Sequence, residues 1–239
     1  AKANAWVRSE VAAARLFRHL IGLEGAPSHR SVDLGNGRLG VASKWNPGLK
    51  KFDANNASHV AQAQKFFVAN AWLANWDAFG NQFDNIAITD SGPVQLDFGG
   101  ALGHKGIGSL KPTGSFGNTV PEYLTLRDPN VNPNAAKVYS SLTKQQLMQQ
   151  LVQLQSLNPS QIKEAIDKYG PTDAVEKLEL YNRMVARRND LLTKLAQLEE
   201  QAKIDTAFPD ATNLAAAQGA GISSLNWTTG TRVSTTQLA

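Results

Sequence analysis

The chain has 239 residues, of which 42% are hydrophobic and 18% charged, and this balance allows a packed core and excludes wholesale disorder. The formal net charge of +4 is modest and the basic residues are scattered, so there is no strong signal for nucleic-acid binding. The lack of cysteine excludes disulfides, and the four isolated histidines lack the spacing of a zinc site. No apolar stretch approaches the ~20 residues that cross a bilayer, so we expect no membrane span.

The first part of the chain predicts a helix, a hairpin and a second helix. Apolar residues recur at helical spacing through residues 6–21. Residues 31–34 and 38–43 have the pattern of two short strands, joined by a Gly-Asn-Gly turn. Ser58 is the predicted N-cap of a long helix that ends near Trp76.

A second hairpin and a long loop follow. The apolar runs 86–89 and 94–96 flank the turn sequence Asp-Ser-Gly-Pro, which predicts an antiparallel pair of strands. Residues 98–119 are rich in glycine and have no periodic pattern, so we expect a long flexible loop. Loops of this length in compact domains are usually functional or disordered.

Helical signals dominate after Val120. Thr143 and Gln146 predict a capping box at the start of a leucine-rich helix. Asn158, which precedes a proline, predicts the start of a further helix that Gly170 closes.

The last two segments differ in character. Residues 173–203 predict one long amphipathic helix, and its apolar side carries Leu178, Tyr181, Val185, Leu192 and Leu195. Residues 205–239 are rich in small and polar residues without periodicity. We interpret them as an extended tail that becomes ordered on a partner.

Three short segments carry the residues with catalytic potential. Asp77 ends the run Asn-Trp-Asp after the second predicted helix, Asn85 lies in Phe-Asp-Asn-Ile at the start of the second hairpin, and Asp97 opens Asp-Phe-Gly-Gly after it. Phosphoryl transfer from ATP needs a carboxylate that orients the attacking hydroxyl, together with an Asn and an Asp that hold magnesium. The sequence supplies these residue types in that order.

The same segments resemble the catalytic core of protein-kinase-like folds. The Asp-Phe-Gly that begins at Asp97 resembles the DFG motif, and the Asp-Asn-Ile around Asn85 is similar to catalytic loops of phosphatidylinositol kinases and of HipA-like and actin-fragmin-like kinases. The resemblance implies that Asp77 is the catalytic base, Asn85 a metal ligand and Asp97 the principal metal ligand, with ATP and Mg as cofactors. Asp77 and Asn85 are farther apart than in the usual catalytic loop, and no His-Arg-Asp is present.

A second part of the resemblance concerns the small lobe. Kinases pair a β-strand lysine with a glutamate on the following helix, and this pair holds the ATP phosphates. The resemblance implies that Lys2 and Glu10 form this pair and that the first hairpin supplies the next strands. The chain starts at Ala1 without a glycine-rich phosphate loop, so we expect a truncated lobe from a processed or longer polypeptide.

The sequence therefore predicts an α+β, protein-kinase-like fold. We expect a partial small β-lobe in residues 1–48, a mainly helical large lobe in residues 49–204 and an extended tail in residues 205–239. The predicted activity is ATP- and Mg-dependent phosphotransfer to a protein hydroxyl, and an inactive, pseudokinase form of this chain stays open.

The alternative hypothesis belongs to another class, that of non-catalytic structural proteins. The run from Glu122 to Asn130 and the helices after it resemble segments that follow kinase-like domains in phage and prophage polyproteins. This resemblance implies a virion or assembly component built on a kinase-like scaffold. The expected partner is accordingly a protein substrate or an assembly partner, with an oligomer as a further expectation, and the expected location is the cytoplasm or the virion.

Overall fold

The computed structural model describes residues 2–44, 46–106 and 108–207. The chain divides into two units, Ala1–Ala196 and Gln197–Ala239. The strands and every candidate site residue lie in the first unit, and the described part of the second is the end of a helix. Most of the predicted tail, from residue 208 on, lies outside the described residues, and residues 205–207 are helical.

The described residues form an α+β fold, which confirms the predicted class. The helices are α1 (Lys2–Ile21), α2 (Ala57–Ala63), α3 (Phe67–Trp72), α4 (Glu122–Thr125), α5 (Pro133–Tyr139), α6 (Lys144–Ser156), α7 (Pro159–Tyr169) and α8 (Ala174–Ala207). The strands are β1 (His29–Asp33), β2 (Leu39–Ser43), β3 (Lys50–Lys51), β4 (Ile86–Thr89) and β5 (Gly92–Gln95). None of the described helices is long and apolar enough to cross a membrane.

The first predicted hairpin is confirmed as the antiparallel pair β1–β2. Its turn contains Gly35, Asn36 and Gly37, whose φ angles of 85°, 53° and 73° lie in the left-handed region that glycine and asparagine adopt most easily. Asn4 of α1 binds this turn on both sides, because its Nδ2 donates to the carbonyl of Gly37 and its Oδ1 accepts from Leu39 N. The hairpin is therefore fixed to the first helix.

The second predicted hairpin is confirmed as β4–β5, with Ile86 opposite Gln95 and Thr89 opposite Gly92. The turn is tighter than predicted, because Gly92 and Pro93 already belong to β5. A third strand, β3, pairs antiparallel with β4 and completes the sheet order β3-β4-β5. The sequence did not predict β3, because two consecutive lysines are too short for a period-two pattern and lysine is uncommon in strands.

The first helix lies between the hairpin and the helical part of the unit. Helix α1 packs on β1, β2 and α7, and its buried Phe17 makes edge-on contacts with Phe66 and Phe98 at centroid distances of 4.9 and 5.1 Å. Such contacts are typical of aromatic cores. This packing brings Trp6 and Glu10 of α1 to the end of β5, where the candidate site lies.

The predicted long helix from Ser58 to Trp76 is wrong in detail. Asn56 is the N-cap instead of Ser58, and a 3₁₀ turn separates α2 from α3, which ends at Trp72. Gln150 of α6 inserts at this point, accepting from Val68 N and donating to the carbonyl of Gln64, each at 3.0 Å. A side chain that enters the helical hydrogen-bond ladder breaks the regular helix there.

The later helices follow the sequence more closely. The capping boxes at Thr143 and Asn158 are present, and Gly170 is the C-cap of α7. The long helix α8 is also confirmed, but its buried side carries Leu180, Met184, Arg187, Leu191 and Leu195. Leu178, which was predicted on that side, is 59% exposed. The sequence predicts the wrong buried face for α8, because the centre of the observed buried face is an arginine, which apolar periodicity does not count.

Candidate functional site

Asp77 lies in a tight connection that follows α3. The chain turns at Ala74, a non-glycine residue with a φ of 51°, and Asn75 N then donates to the carbonyl of Asn70. Trp76 N donates to the carbonyl of Gly100, which joins this connection to the segment after β5. The half-buried Asp77 is thereby held next to the glycine-rich loop.

Asn85 contacts Asp77 despite their separation along the sequence. Its Nδ2 donates to the main-chain oxygen of Asp77 at 2.6 Å, although eight positions separate the two residues. The intervening residues fold into a compact turn in which Gly80 N donates to the carbonyl of Asp77. Phe79 anchors that turn in the core, with ring centroids 5.9 Å from Phe52 and 5.1 Å from the buried Tyr139. The extra residues between Asp77 and Asn85 are thus accommodated without moving Asn85 away from Asp77.

Asp97 lies directly after β5 and brings a negative charge to the same place. Its Oδ1 accepts from Gly99 N at 2.6 Å, which fixes the carboxylate at the base of the loop. Burial, followed by the charge of Asp97, raises the pKa of Asp77, while Asn85 opposes this rise. The same two causes, in the same order, raise the pKa of Glu10 to about 7. Asp77 and Glu10 are therefore each repelled electrostatically by Asp97.

A buried glutamine holds the three segments together. Gln95 is fully buried, and its Nε2 donates to the carbonyls of Ala78 at 2.7 Å, Asn85 at 2.9 Å and Asp97 at 3.3 Å. Its Oε1 accepts from Asn70, which also donates to the hydroxyl of Tyr139. A single side chain thus contacts the backbone after Asp77, at Asn85 and at Asp97. Sequence reasoning missed it, because a glutamine at the end of a strand carries no motif.

Unusual backbone conformations occur shortly before two of these segments. Among the described residues, those other than glycine with a positive φ are Ala74, Phe83 and Leu102, besides Asn36 in the first hairpin turn. Ala74 lies three positions before Asp77, and Phe83 lies two before Asn85. Strained backbone of this kind persists where the surrounding structure fixes it, and it tends to cluster at functional sites.

The glycine-rich loop is anchored by a buried lysine. The Nζ of Lys111 donates to the carbonyls of Ala74, Gly100 and Leu102 at 2.7, 2.9 and 2.5 Å, and it lies 4.8 Å from the centre of the Trp76 ring. Burial lowers the pKa of Lys111 to about 7, and nearby Glu122 opposes that change. Between residues 98 and 119, the described residues form no helix and only one isolated bridge, in agreement with the predicted loop.

The loop lies directly against Asp77. A side chain at Gly106 would overlap the Oδ2 of Asp77, so the backbone of the loop approaches the carboxylate closely. Trp6 also holds the loop, since its Nε1 donates to the carbonyl of Gly99 at 2.9 Å and its ring lies against Gly108. Only residues without a Cβ permit such close contact.

A buried ion pair fixes the far end of the loop. Arg187 and Glu122 are fully buried with 2.8 Å between Nη2 and Oε2, and Trp76 Nε1 donates to the other carboxylate oxygen at 2.8 Å. Arg187 also donates to the carbonyls of Trp72 and Thr119. This network joins α8 to the end of α3 and to the loop. This pair could not be predicted from local sequence patterns, because the two residues are 65 positions apart.

The predicted lysine partner of Glu10 requires a correction. Lys2 lies at the start of α1, on the same helix as Glu10, and not on a β-strand. At ~1.5 Å per residue, their separation along the helix axis is about 12 Å. Among the described residues, Glu10 forms no ion pair with Lys2, and the side-chain charge that shifts the pKa of Glu10 is that of Asp97.

The donor atoms of the site fit magnesium, although they form no complete cage. Within the described residues, no group of three or more His, Cys, Asp or Glu side chains is arranged to hold a metal ion. Magnesium is usually bound through one or two carboxylates together with substrate phosphates and water, so such a cage is not required. Asp97 and the amide oxygen of Asn85 are donors of the appropriate hard type.

Comparison with known protein families, curated proteins and solved structures finds no match for this chain. The predicted site residues fall into two groups. Asp77, Asn85 and Asp97 lie together with Glu10, whereas Lys2 lies apart from them.

Proposed function

We propose that the chain is an ATP- and Mg-dependent phosphotransferase of the protein-kinase-like type, which transfers the γ-phosphoryl group to a hydroxyl of a protein. The observation that supports this most strongly is the grouping of Asp77, Asn85 and Asp97. Asn85 donates to the main-chain oxygen of Asp77, Gln95 donates to the carbonyls of Asn85 and Asp97, and the charge of Asp97 helps to raise the pKa of Asp77. Carboxylates that repel each other in one place are stabilised when a cation binds between them.

Asp77 is assigned to the attacking hydroxyl. It is half-buried, and it retains carboxylate oxygens that can accept a proton. The hydroxyl oxygen attacks the γ-phosphorus as its proton moves to Asp77, and the bond from the phosphorus to the bridging oxygen breaks so that ADP leaves with the electron pair. In this assignment Asp77 must be ionised, so transfer should increase as the pH rises through its raised pKa.

Asp97 and Asn85 are assigned to the metal. When bound, magnesium neutralises the charge that develops on the phosphates. Asp97 is held by Gly99 N, and the backbone of Asn85 is held by Gln95, so both are in place before a ligand arrives. Such preorganisation is the main contribution that a protein makes to phosphoryl transfer.

A second candidate function, a non-catalytic assembly protein, is favoured by the position of the loop. The backbone at Gly106 covers one oxygen of Asp77, and Lys2 does not lie near Glu10 in the way a nucleotide-binding lysine would. On this proposal the kinase-like residues are a scaffold, and the chain binds its neighbours without turnover.

Transfer of labelled phosphate from γ-labelled ATP separates the two functions. We expect the full chain to incorporate label into a mixed protein substrate only with Mg, and Asp77→Asn to lose this activity while it still binds MgATP. Asp90→Asn is the matched control, because Asp90 is an exposed carboxylate in the β4–β5 turn. Equal activity in Asp77→Asn and Asp90→Asn would remove Asp77 from the mechanism.

A further inference from the structure

A groove of about 230 Å³ opens beside Asp77. One wall consists of Trp76, Asp77, Phe79, Gly80 and Asn81, and the other consists of residues 131–134 at the start of α5. We call it the Asp77 groove. A larger cavity of about 390 Å³ between the end of α1, the β4–β5 turn and α6 contains none of the candidate site residues.

The two walls are joined by asparagine side chains. Asn132 donates to the carbonyl of Trp76 at 2.8 Å, and Asn134 donates to the carbonyls of Gly80 and Asn81 at 2.7 and 3.2 Å. Asn132 also caps α5 by accepting from Ala135 N. The groove is therefore held in its shape by hydrogen bonds to its own backbone. No hydrogen bond from another described residue reaches the Oδ1 of Asn134, so this oxygen can accept one from a ligand.

The lining of the groove is nearly neutral. Among the described residues that line it, Asp77 is the sole charged one, and none is Lys, Arg or His. Phosphorylated ligands are usually held by arginine or lysine. A phosphoinositide, a nucleotide or a phosphosugar would instead meet the negative charge of Asp77. The groove therefore selects against acceptors that already carry phosphate.

The rim of the groove is apolar on one side. Val131 is 60% exposed at the edge of the wall opposite Asp77, next to Pro133. The volume is below the ~300–1,000 Å³ of pockets that enclose a drug-sized molecule. A short stretch of extended chain fits these features, because it offers alternating side chains and a backbone N–H to the amide oxygen.

We propose that the Asp77 groove binds the acceptor, and that the acceptor is a neutral segment of a protein that carries a Ser or Thr hydroxyl beside an apolar residue. The hydroxyl lies at Asp77, the apolar side chain packs on Val131, and the backbone donates to Asn134. This inference rests on the proposed phosphotransfer, and it narrows the acceptor from a hydroxyl of any protein segment to a Ser or Thr hydroxyl in an uncharged segment.

The test measures phosphate transfer from MgATP to a library of Ser- and Thr-containing peptides whose flanking residues are varied. The full chain should prefer apolar, uncharged flanks and should leave phosphoinositides and free sugars unmodified. Val131→Glu should raise the KM for the preferred peptide about tenfold, equivalent to ~1.4 kcal/mol, with kcat and MgATP binding unchanged. Val131→Lys should shift the preference toward acidic flanks.

The matched control is Val175→Glu, because Val175 is 64% exposed on α8 and does not line the groove. An unchanged KM in Val131→Glu would exclude the groove as the acceptor site while leaving the proposed phosphotransfer intact. A preference for a phosphoinositide or a sugar would overturn the acceptor class. No MgATP binding by the full chain would instead overturn the proposed function, and the acceptor site with it.

Discussion

Asn85 donates a hydrogen bond of 2.6 Å to the main-chain oxygen of Asp77 and thereby joins the two ends of a segment eight positions long. The segment includes Gly80 and the buried Phe79, so the chain folds back on itself without losing core contacts. The unusual spacing of the catalytic-loop-like residues is thus compatible with a compact site.

Replacing Asn85 with Asp tests this relationship. The substitution keeps the size of the side chain, removes its donor and adds a negative charge close to Asp77. We expect a loss of about 0.5–1.5 kcal/mol in the free energy of unfolding from the hydrogen bond, with a further loss from charge repulsion. Urea unfolding measures it, and Asn81→Asp, at an exposed position on the same turn, is the control. Identical stability of the two variants would contradict the role of the bond.

Gln95→Leu should destabilise the fold more strongly. It removes the fully buried side-chain amide that donates hydrogen bonds to the carbonyls of Ala78 and Asn85. Each buried acceptor without a partner costs ~1–3 kcal/mol, so we expect a loss of at least that size. Thermal and urea unfolding provide the measurement, with the exposed Gln155→Leu as the comparison. A change below ~0.5 kcal/mol, as is usual for surface substitutions, would show that Gln95 does not hold the segments.

The pKa of Glu10 gives a pH dependence of known sign. Its pKa rises from 4.5 in the unfolded chain to about 7 in the folded protein, because of burial first and then Asp97. The folded state therefore binds the proton more tightly, so this contribution to stability is complete below pH 4.5 and is lost as the pH rises through 7. Each pKa unit corresponds to ~1.4 kcal/mol.

Glu10→Gln removes the charge and should flatten this part of the stability profile. We expect the variant to be more stable than the natural chain at pH 8 and similar to it at pH 4.5, measured by urea unfolding across the range. Glu24→Gln, on the exposed turn after α1, controls for loss of a carboxylate. A parallel profile for Glu10→Gln and the natural chain would contradict the assigned environment of Glu10.

The buried pair of Arg187 and Glu122 should be costly to break. Arg187→Met leaves the carboxylate of Glu122 buried without its cation, and removal of one partner of such a pair typically costs ~3–5 kcal/mol. The double variant with Glu122→Leu should recover part of this loss, since it leaves no uncompensated charge. Thermal unfolding of both variants tests the pair, and a double variant less stable than Arg187→Met would contradict this account.

Local signals predicted much of the fold. The Gly-Asn-Gly turn, the capping residues Thr143 and Asn158 and the glycine-rich loop all depend on neighbours within a few positions, and each was found where it was expected. The residues Asp77, Asn85 and Asp97 were also found together. Their grouping depends on the short β4–β5 hairpin between Asn85 and Asp97, and the sequence predicts this hairpin.

The contacts that the sequence did not predict are long-range ones. The break between α2 and α3 depends on Gln150, more than 80 positions away, and the buried stripe of α8 depends on Arg187 meeting Glu122. Patterns of polarity assign glutamine and arginine to the surface. Buried residues of these two types are therefore not predicted from such patterns. The resemblance to kinases implies that Lys2 lies on a strand. In the structure Lys2 is the first residue of α1, because the alanine-rich segment after it favours helix.

The most direct test of the central claim is magnesium-dependent ATP binding by the full chain, measured by thermal shift and by calorimetry. The account predicts that ATP stabilises the protein only when Mg is present and that Asp97→Asn abolishes this effect, whereas Asp90→Asn retains it. If millimolar ATP with Mg produced no shift in the natural chain, or the same shift in Asp97→Asn, the assignment of a nucleotide site to these residues would be contradicted.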